Sequence, residues 1–411
     1  MAAFLNLAMF APLRHRQFRW MWGANLISNF GTSTYVLAMN WIAVREHGGV
    51  GLGAITLAYG LAQFFCQLPG GAASDRFNRR LVFAITETCF LLTAIVLTLS
   101  ALDNRFPLWL LALINGLNGL ISAFDTPART TLINELIPPE EVALAQELYG
   151  LAANATSVLG PVLGGVLLHL GHDALAFGFN AATFLPVLAS LLVVRGHARA
   201  EGEGQKRTPL WVSIREGLAY VRQDAALTTL LQFLAVIMIL GMPYQTLLPL
   251  FAHRVLRAGS AEFAALSAAV GLGGFFGALA AANLPPVSRP GRWLWGLGLA
   301  FASSIFLYTQ SPVIHWASLS VFLAGACSAA ILNWNGALLQ ALTPPALRGR
   351  VTSVSGLNKG ALSVSAALAS YGAHYIGLPL TQTALIILMA GGLWWLRSSL
   401  TAIGAEEANS L

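Results

Sequence analysis

Five polar side chains occur at regular spacing in one otherwise apolar segment of the chain, residues 107–134. They are Asn115, Asn118, Ser122, Asp125 and Arg129. Steps of three and four residues place them on one face of an α-helix. An aspartate and an arginine there can form an ion pair or handle a proton, and the amides can donate and accept hydrogen bonds. The spacing predicts a helix whose polar face is directed toward protein or water.

Other ionisable residues inside apolar segments are few. Glu87 lies about two turns into the segment 81–101, and Lys359 lies about two turns into the segment 351–376. A charge embedded in a membrane segment indicates function, so Glu87, Asp125 and Lys359 are the candidates for proton coupling. Glu87 and Lys359 are also near enough to a segment end for their charges to reach the membrane surface, and both interpretations stay open.

The elements that must position these residues are long apolar segments. The chain has 411 residues, of which 56% are hydrophobic and only 10% charged, whereas a soluble domain carries about 25% charged residues. A membrane-spanning helix needs about 20 mainly apolar residues. Segments of this kind are predicted at 18–44, 52–73, 81–101, 107–134, 142–170, 174–194, 226–252, 261–283, 292–310, 313–342, 351–376 and 380–400. The predicted fold is an all-α membrane protein with twelve transmembrane helices.

One long hydrophilic stretch divides these segments into two sets of six. We expect an N-terminal bundle over 1–194, a linker over 195–224 and a C-terminal bundle over 225–411. Within the linker, apolar residues at spacings of three and four predict an amphipathic helix on the membrane surface over 211–222. The halves are similar at an offset of 206 residues, which aligns Gly71 with Gly277 and Pro138 with Pro344. This similarity predicts two pseudo-symmetric six-helix bundles.

The positions of lysine and arginine predict the orientation. With both termini in the cytoplasm, the inside loops hold 17 of the 23 basic residues and the outside loops hold four. Basic residues concentrate on the cytoplasmic side of membrane proteins. The same distribution accounts for the net charge of +6 without a nucleic-acid partner. The single cysteines Cys66, Cys89 and Cys327 predict neither a metal site nor a disulfide framework.

The loop after the second segment reads Gly71-Ala-Ala-Ser-Asp75-Arg76-Phe-Asn78-Arg79-Arg80. It resembles the cytoplasmic loop signature of the major facilitator superfamily, with Asn78 at a position where glycine is usual and where asparagine also tolerates a left-handed turn. The alternative is an ordinary basic inside loop. The resemblance implies a conformational switch in which Gly71, Asp75, Arg76, Arg79 and Arg80 act with Asp125 and Arg129. A static ion pair between helices is the competing interpretation.

The fifth segment contains Gly160-Pro161-Val-Leu-Gly164-Gly165, which resembles the antiporter motif of exporters in this superfamily. Any closely packed, proline-bent membrane helix would have the same composition. With the opening stretch from Pro12 to Trp20, the chain resembles the subgroup that contains the enterobactin exporter and macrolide-efflux proteins. Many relatives have an arginine where this chain has Ser157, so the role of that arginine does not carry over.

The resemblance also implies a substrate cavity lined by the first, fourth, seventh and tenth helices. Its lining residues would be Asn25, Asn29, Thr32, Asn115, Asn118, Gln232, Tyr244, Gln245, Asn333, Trp334 and Asn335. Such an amide-rich, aromatic lining suits a bulky, hydrogen-bonding, amphipathic ligand. Alternatively, some of these amides bond only to neighbouring helices.

Together these features favour a monomeric secondary active transporter of a bacterial cytoplasmic (inner) membrane. Its expected partners are a small-molecule substrate, protons and lipid, and no cofactor, metal or nucleic acid. Proton-driven export of a siderophore or a similar metabolite is the favoured function, with multidrug or macrolide efflux and import by the same fold as alternatives. A lipid-modifying enzyme is disfavoured, because the chain has no HExxH, nucleophile-elbow or Walker A motif.

Overall fold

The computed structural model describes residues 7–170, 173–194, 218–283, 289–344 and 347–403. Almost all of these residues are helical. In lipid, backbone N–H and C=O groups must be paired within the protein, so each long apolar run becomes a helix. Within the described ranges, nine helices are long and apolar enough to cross a membrane.

The first half of the chain forms five α-helices. A short 3₁₀ helix over Leu7–Arg14 precedes them, and a 3₁₀ turn over Pro139–Glu141 separates the third from the fourth. The helices are α1 (Arg16–Arg76), α2 (Arg79–Leu102), α3 (Leu108–Glu135), α4 (Val142–His169) and α5 (Asp173–Val193).

The second half begins with helical residues 218–223, the described part of the predicted amphipathic helix, whose earlier residues lie outside the description. A π-helical turn over Ile237–Gly241 joins α6 to α7. The helices are α6 (Ala225–Val236), α7 (Pro243–Arg254), α8 (Ser260–Asn283), α9 (Pro290–Thr309), α10 (Ile314–Leu342), α11 (Arg348–Tyr375), α12 (Leu378–Trp395) and α13 (Arg397–Ala402). The predicted segment ends fall within a few residues of these bounds, except that α1 contains two predicted segments. Two further segments are divided, 226–252 into α6 and α7 and 380–400 into α12 and α13.

Helix α1 contains both of the first two predicted segments. The loop predicted over residues 45–51 is wrong in extent, because the backbone stays helical up to and after a break at Gly48. Gly48 has φ 61° and ψ −146°, a conformation that glycine adopts readily because it has no Cβ. One residue therefore separates the two arms of α1.

The chain clusters into two compact units. Unit 1 comprises Met1–Glu46 and Ala58–Gln205, and unit 2 comprises His47–Leu57 and Lys206–Leu411. The short segment around the break in α1 therefore belongs to unit 2. The domain limits expected from the sequence remain a prediction.

Unit 1 contains an apolar core at the end where α2 begins and α3 ends, here called its inner end. The buried side chains there include Phe18, Phe83, Leu132, Leu148 and Leu191, one from each of the five helices. Tyr149 packs edge-on against Phe18, with ring centroids 6.2 Å apart. In lipid such packing stabilises helix association through close van der Waals contact.

The core of unit 2 contains an aromatic cluster. Tyr244 meets Phe301 and Tyr308 edge-on, with centroids 5.8 Å and 6.4 Å away, and Phe251 lies 4.2 Å from Tyr308. These rings join α7 to α9. Edge-to-face aromatic pairs add about 0.5–1.5 kcal/mol beyond the burial of their area.

Candidate functional site, a polar ladder in unit 1

The polar face of α3 is directed into unit 1. This face and the side chains from other helices that interact with it are here called the polar ladder. At its outer end, the Tyr35 hydroxyl of α1 donates to Asn115 Oδ1 at 3.3 Å and accepts from Asn118 Nδ2 at 2.9 Å. Thr93 of α2 donates to Asn118 Oδ1 at 2.9 Å. Both amides are buried. These amides join three helices, which is the interpretation that the sequence offered as the alternative to substrate contact.

The middle of this face is formed by Ser122. The Tyr59 hydroxyl and the Gln63 side-chain amide, both on the second arm of α1, lie 3.3 Å and 3.4 Å from Ser122 Oγ. These three side chains are only partly buried. The polar face thus continues toward the inner end without an apolar interruption on α3.

The inner part of the face contains an ion pair. Arg129 Nε lies 3.6 Å from Asp125 Oδ2, one turn away on α3. The Thr86 hydroxyl of α2 donates to Asp125 Oδ1 at 2.9 Å, and Arg129 Nη1 lies 3.5 Å from Asn25 Oδ1 of α1. The side chains of Asp125 and Arg129 are 6% and 31% exposed, so the aspartate is held inside protein while the arginine reaches a partly open position.

Glu87 adds a second carboxyl group to this pair. Its residue is 3% exposed and interacts electrostatically with Asp125 and Arg129. Within the described part of the chain, Glu87 Oε2 has no hydrogen-bond partner, and neither has the hydroxyl of Tyr149, which lies within electrostatic range of Arg129. A buried polar atom without a partner is costly and is therefore a candidate for function.

Two carboxyl groups and one guanidinium could hold a single proton between them. With both carboxylates ionised, Glu87, Asp125 and Arg129 carry one net negative charge, and one bound proton makes the set neutral. Burial in a low-dielectric region penalises the charged set strongly. A bound proton would therefore reduce the charge that this buried region has to accommodate.

The loop motif ends α1 and begins α2. A Cβ placed on Gly71 would meet nothing within 4 Å, whereas one on Gly70 would strike the backbone carbonyl of Ala123 on α3. The close helix contact therefore depends on Gly70, which the sequence analysis did not select. The side chains of Asp75 and Arg76, and that of Lys359, lie outside the described part of the structure.

Asn78 begins α2 by capping it. Its side chain accepts hydrogen bonds from the backbone N–H groups of Arg80 and Leu81 at 3.0 Å and 3.4 Å. Its φ of −59° is not left-handed, so the tolerance of asparagine for a left-handed turn is not used at this position. Asparagine is a strong N-cap because its short side chain reaches the unpaired N–H groups of the first turn.

Arg79 forms an ion pair with Glu135 at the inner end of unit 1. The pair joins the beginning of α2 to the end of α3. Glu135 was not among the predicted site residues, because a glutamate at a helix end on the membrane surface has no distinguishing pattern. Arg80, the residue after Arg79, has a half-buried side chain.

The four residues of the glycine-proline motif are buried on α4, which runs unbroken through Pro161. A Cβ on Gly160 would strike the side chain of Ser33, and one on Gly164 would lie 2.9 Å from Leu37 Cδ2. Ser33 also donates to the carbonyl of Thr156 at 3.2 Å. The motif therefore packs α4 closely against the first arm of α1.

Replacing Gly160 with valine is expected to impair both folding stability and transport. The added side chain must displace Ser33, and overpacking of this kind costs about 1–3 kcal/mol. Thermal unfolding of the purified protein measures the loss. Gly150→Val on the same helix is the matched control, because a Cβ there meets nothing within 4 Å. Equal unfolding temperatures for the two variants would show that the contact does not contribute.

The remaining predicted cavity residues of unit 1 differ in exposure. Asn25 is buried and donates to the carbonyl of Met21 at 2.8 Å while its oxygen lies beside Arg129. Asn29 is half-buried and Thr32 is exposed. Asn25 thus belongs to the charged part of the ladder, while Asn29 and Thr32 continue along the same arm of α1.

In unit 2, Gln232, Gln245 and Asn333 are exposed, and Tyr244 is buried in the aromatic cluster. Trp334 donates its indole N–H to the carbonyl of Ala281 at 3.0 Å, so it holds α10 against α8. Asn335 is 1% exposed, and neither its amide nitrogen nor its oxygen has a hydrogen-bond partner among the described residues. Asn335 is therefore the predicted cavity residue of unit 2 with the greatest unmet hydrogen-bonding capacity.

Several members of the ladder were not predicted. Tyr35, Thr86, Thr93 and Tyr149 are hydroxyl residues in apolar segments, and other serines and threonines lie close to the first three in sequence. Thr86 and Thr93 are seven residues apart, a spacing that shares one helix face, and this is the signal that was available. Threonine is a weak indicator, because its hydroxyl can bond to its own helix, as Thr86 does to Phe83 at 2.9 Å.

Comparisons with known proteins agree with this architecture. The staphyloferrin A transporter of Staphylococcus aureus is 23% identical over 358 residues, which are 83% of this chain and 86% of the relative. The enterobactin exporter EntS of Shigella boydii is 26% identical over 352 residues, 85% of this chain and 83% of the relative. A bacterial homologue of the human lysosomal transporter Spinster, inward-facing and unoccupied, superposes with a TM-score of 0.74 at 16% identity, over 95% of this chain and 97% of that chain. The Spinster likeness shows the fold alone.

A family model described as transmembrane secretion effector matches residues 7–411. This match covers nearly the whole chain, including every element described above. The chain therefore belongs to the transmembrane secretion effector family of the major facilitator superfamily, whose members are multi-pass membrane transporters and not enzymes.

Proposed function

We propose that this transporter exports a siderophore or a similar amphipathic metabolite in exchange for protons. The observation that carries the proposal is the buried set of Glu87, Asp125 and Arg129, which can hold one proton beside an ion pair. A charge change at this site alters the balance between arrangements of unit 1. A proton gradient can thereby supply the energy for transport.

We propose twelve transmembrane spans in two six-helix bundles, with both termini in the cytoplasm of a bacterial cell. Counting the two arms of α1 separately, and adding α9 and α11 to the apolar helices, gives this number. Tryptophans and arginines near the beginning of α9 lower its hydropathy, although its length suffices to span a bilayer. The two bundles would alternate access to the substrate by moving against one another, with the motifs around Gly71 and Gly160 contributing to the change.

The substrate class rests on two supports. Two relatives carry names that refer to siderophores, staphyloferrin A and enterobactin. In this chain, Gln232 is exposed, Asn29 is half-buried and Asn335 has no hydrogen-bond partner among the described residues. Their amides offer hydrogen bonds suited to a polar, multidentate metabolite. The first alternative is efflux of macrolides or other drugs, which the same kind of lining would suit. The second alternative is import by the same fold.

Metabolite profiling of a deletion strain in iron-poor medium tests the function. Under the proposal, a siderophore disappears from the medium and accumulates in the cells, and a plasmid-borne wild-type gene restores secretion. A gene encoding Glu147→Gln, a substitution at an exposed carboxyl group of α4, should restore secretion as well and serves as the matched control for Glu87→Gln. Unchanged secretion in the deletion strain would reject siderophore export and direct the work to drug susceptibility.

A further inference from the structure

We propose that unit 2 holds an anionic phospholipid at the end where α9 begins and α12 ends. Three arginines are exposed there, namely Arg289 and Arg292 at the beginning of α9 and Arg397 at the beginning of α13. Within the described residues none of the three forms an ion pair. Under the orientation proposed above, this end faces the cytoplasmic leaflet, where anionic headgroups attract basic residues.

Arg397 is held in place by two tryptophans. Its guanidinium carbon lies 5.2 Å from the centroid of the Trp295 ring and 5.0 Å from that of Trp394. Trp295 is fixed in turn, because its indole N–H donates to the carbonyl of Leu393 at 3.1 Å. Stacking on aromatic rings uses the faces of a guanidinium and leaves its N–H edges available, and these edges match phosphate oxygens.

The backbone around these side chains is closely packed. The carbonyl of Leu400 on α13 approaches Gly291 so closely that a Cβ at position 291 would strike it. α13 is thereby fixed beside the first turn of α9, where Arg292 and Trp295 lie three residues apart on one face. Asp224 begins the neighbouring α6, and its carboxylate is engaged with the N–H groups of Ala226 and Leu227 at 2.8 Å and 3.0 Å.

The apolar border of this surface identifies the occupant as a lipid. Trp394 is 66% exposed, and Trp293 and Trp395 are also exposed. Tryptophan at the end of a membrane helix occupies the headgroup level of a bilayer. Exposed indoles beside three guanidinium groups that form no ion pair with the described residues fit a ligand with an anionic head and acyl chains better than they fit a free anion.

Lipid retention by the purified full-length protein tests this site. Protein in micelles with equal amounts of phosphatidylglycerol and phosphatidylcholine is examined by native mass spectrometry. Wild type is expected to retain phosphatidylglycerol selectively, and Arg397→Gln should weaken retention about fivefold, the effect of one basic residue near an anionic surface. Arg397→Lys should weaken it less, because the charge stays while the stacked plane is lost.

Arg257→Gln is the matched control. It removes an exposed arginine just before α8, in the same unit but at the other end of that helix from the beginning of α9. Equal retention by Arg397→Gln and Arg257→Gln would overturn the proposal, as would equal retention of the two lipids by wild type. Should Arg397→Gln fail to fold, Arg397→Lys and Trp394→Leu still separate specific from general binding. The measurement uses no transport substrate, so its result is independent of the export proposal apart from the leaflet assignment.

Discussion

Glu87→Gln is expected to abolish proton-driven export while substrate exchange across the membrane continues. The substitution removes a carboxyl group whose buried oxygen has no hydrogen-bond partner among the described residues, so the remaining ion pair of Asp125 and Arg129 is neutral without a bound proton. A transporter without its titrating group can still change conformation with bound substrate, but it no longer couples this change to protons. Export in whole cells and substrate exchange in vesicles measure the two activities separately.

The stability of Glu87→Gln distinguishes a functional carboxyl group from a structural one. A group retained for function is often destabilising, so the free energy of unfolding should stay constant or rise by up to about 2 kcal/mol when the buried charge is removed. Glu147→Gln, at an exposed position, should change neither property. Proton-driven export at the wild-type rate by Glu87→Gln would remove Glu87 from the mechanism.

Arg129→Gln is expected to destabilise unit 1 strongly, and Glu87→Gln is expected to restore part of that loss by removing one of the two carboxyl groups. Without Arg129, two carboxyl groups remain close together in a buried region. Breaking a buried ion pair costs about 3–5 kcal/mol. Here we expect about 2–3 kcal/mol, because the guanidinium is 31% exposed and solvent screens it. Thermal unfolding of the single and double variants gives the interaction free energy between Arg129 and Glu87.

The double variant provides the critical comparison. Residues that interact show a non-additive effect, whereas independent residues add. Arg129→Gln in the Glu87→Gln background should therefore cost less than in wild type, because one buried carboxyl group remains instead of two. Arg105→Gln, at an exposed turn between α2 and α3, is the control for loss of one positive charge. Additive losses would mean that Arg129 does not stabilise the charge on Glu87.

The helix positions and the polar face of α3 were predictable because each depends on local sequence alone. An apolar run of sufficient length becomes a membrane helix, and steps of three and four residues define one face. The same face proved to contain Asn115, Asn118, Ser122, Asp125 and Arg129 inside unit 1. Its orientation followed from the cost of exposing charge and amide groups to lipid.

The partners of that face were not predictable, because they come from other helices. Tyr35, Thr86 and Thr93 become recognisable only when α1 and α2 are placed beside α3. For the same reason, the sequence did not indicate that Gly70, rather than Gly71, makes the close contact with α3. Two local features also differed from the sequence analysis. Asn78 caps α2, and the break in α1 is confined to Gly48 instead of a loop over residues 45–51.

Proton movement driven by substrate tests proton-coupled antiport most directly. Vesicles containing the purified protein and a trapped pH-sensitive dye receive enterobactin or staphyloferrin A on the outside. Antiport predicts that entry of an accepted siderophore drives protons out, so the lumen becomes more alkaline in wild type and in Glu147→Gln. In Glu87→Gln, radiolabelled siderophore should still exchange without this pH change. Siderophore entry without proton movement, or with acidification of the lumen, in the wild-type vesicles would contradict the mechanism.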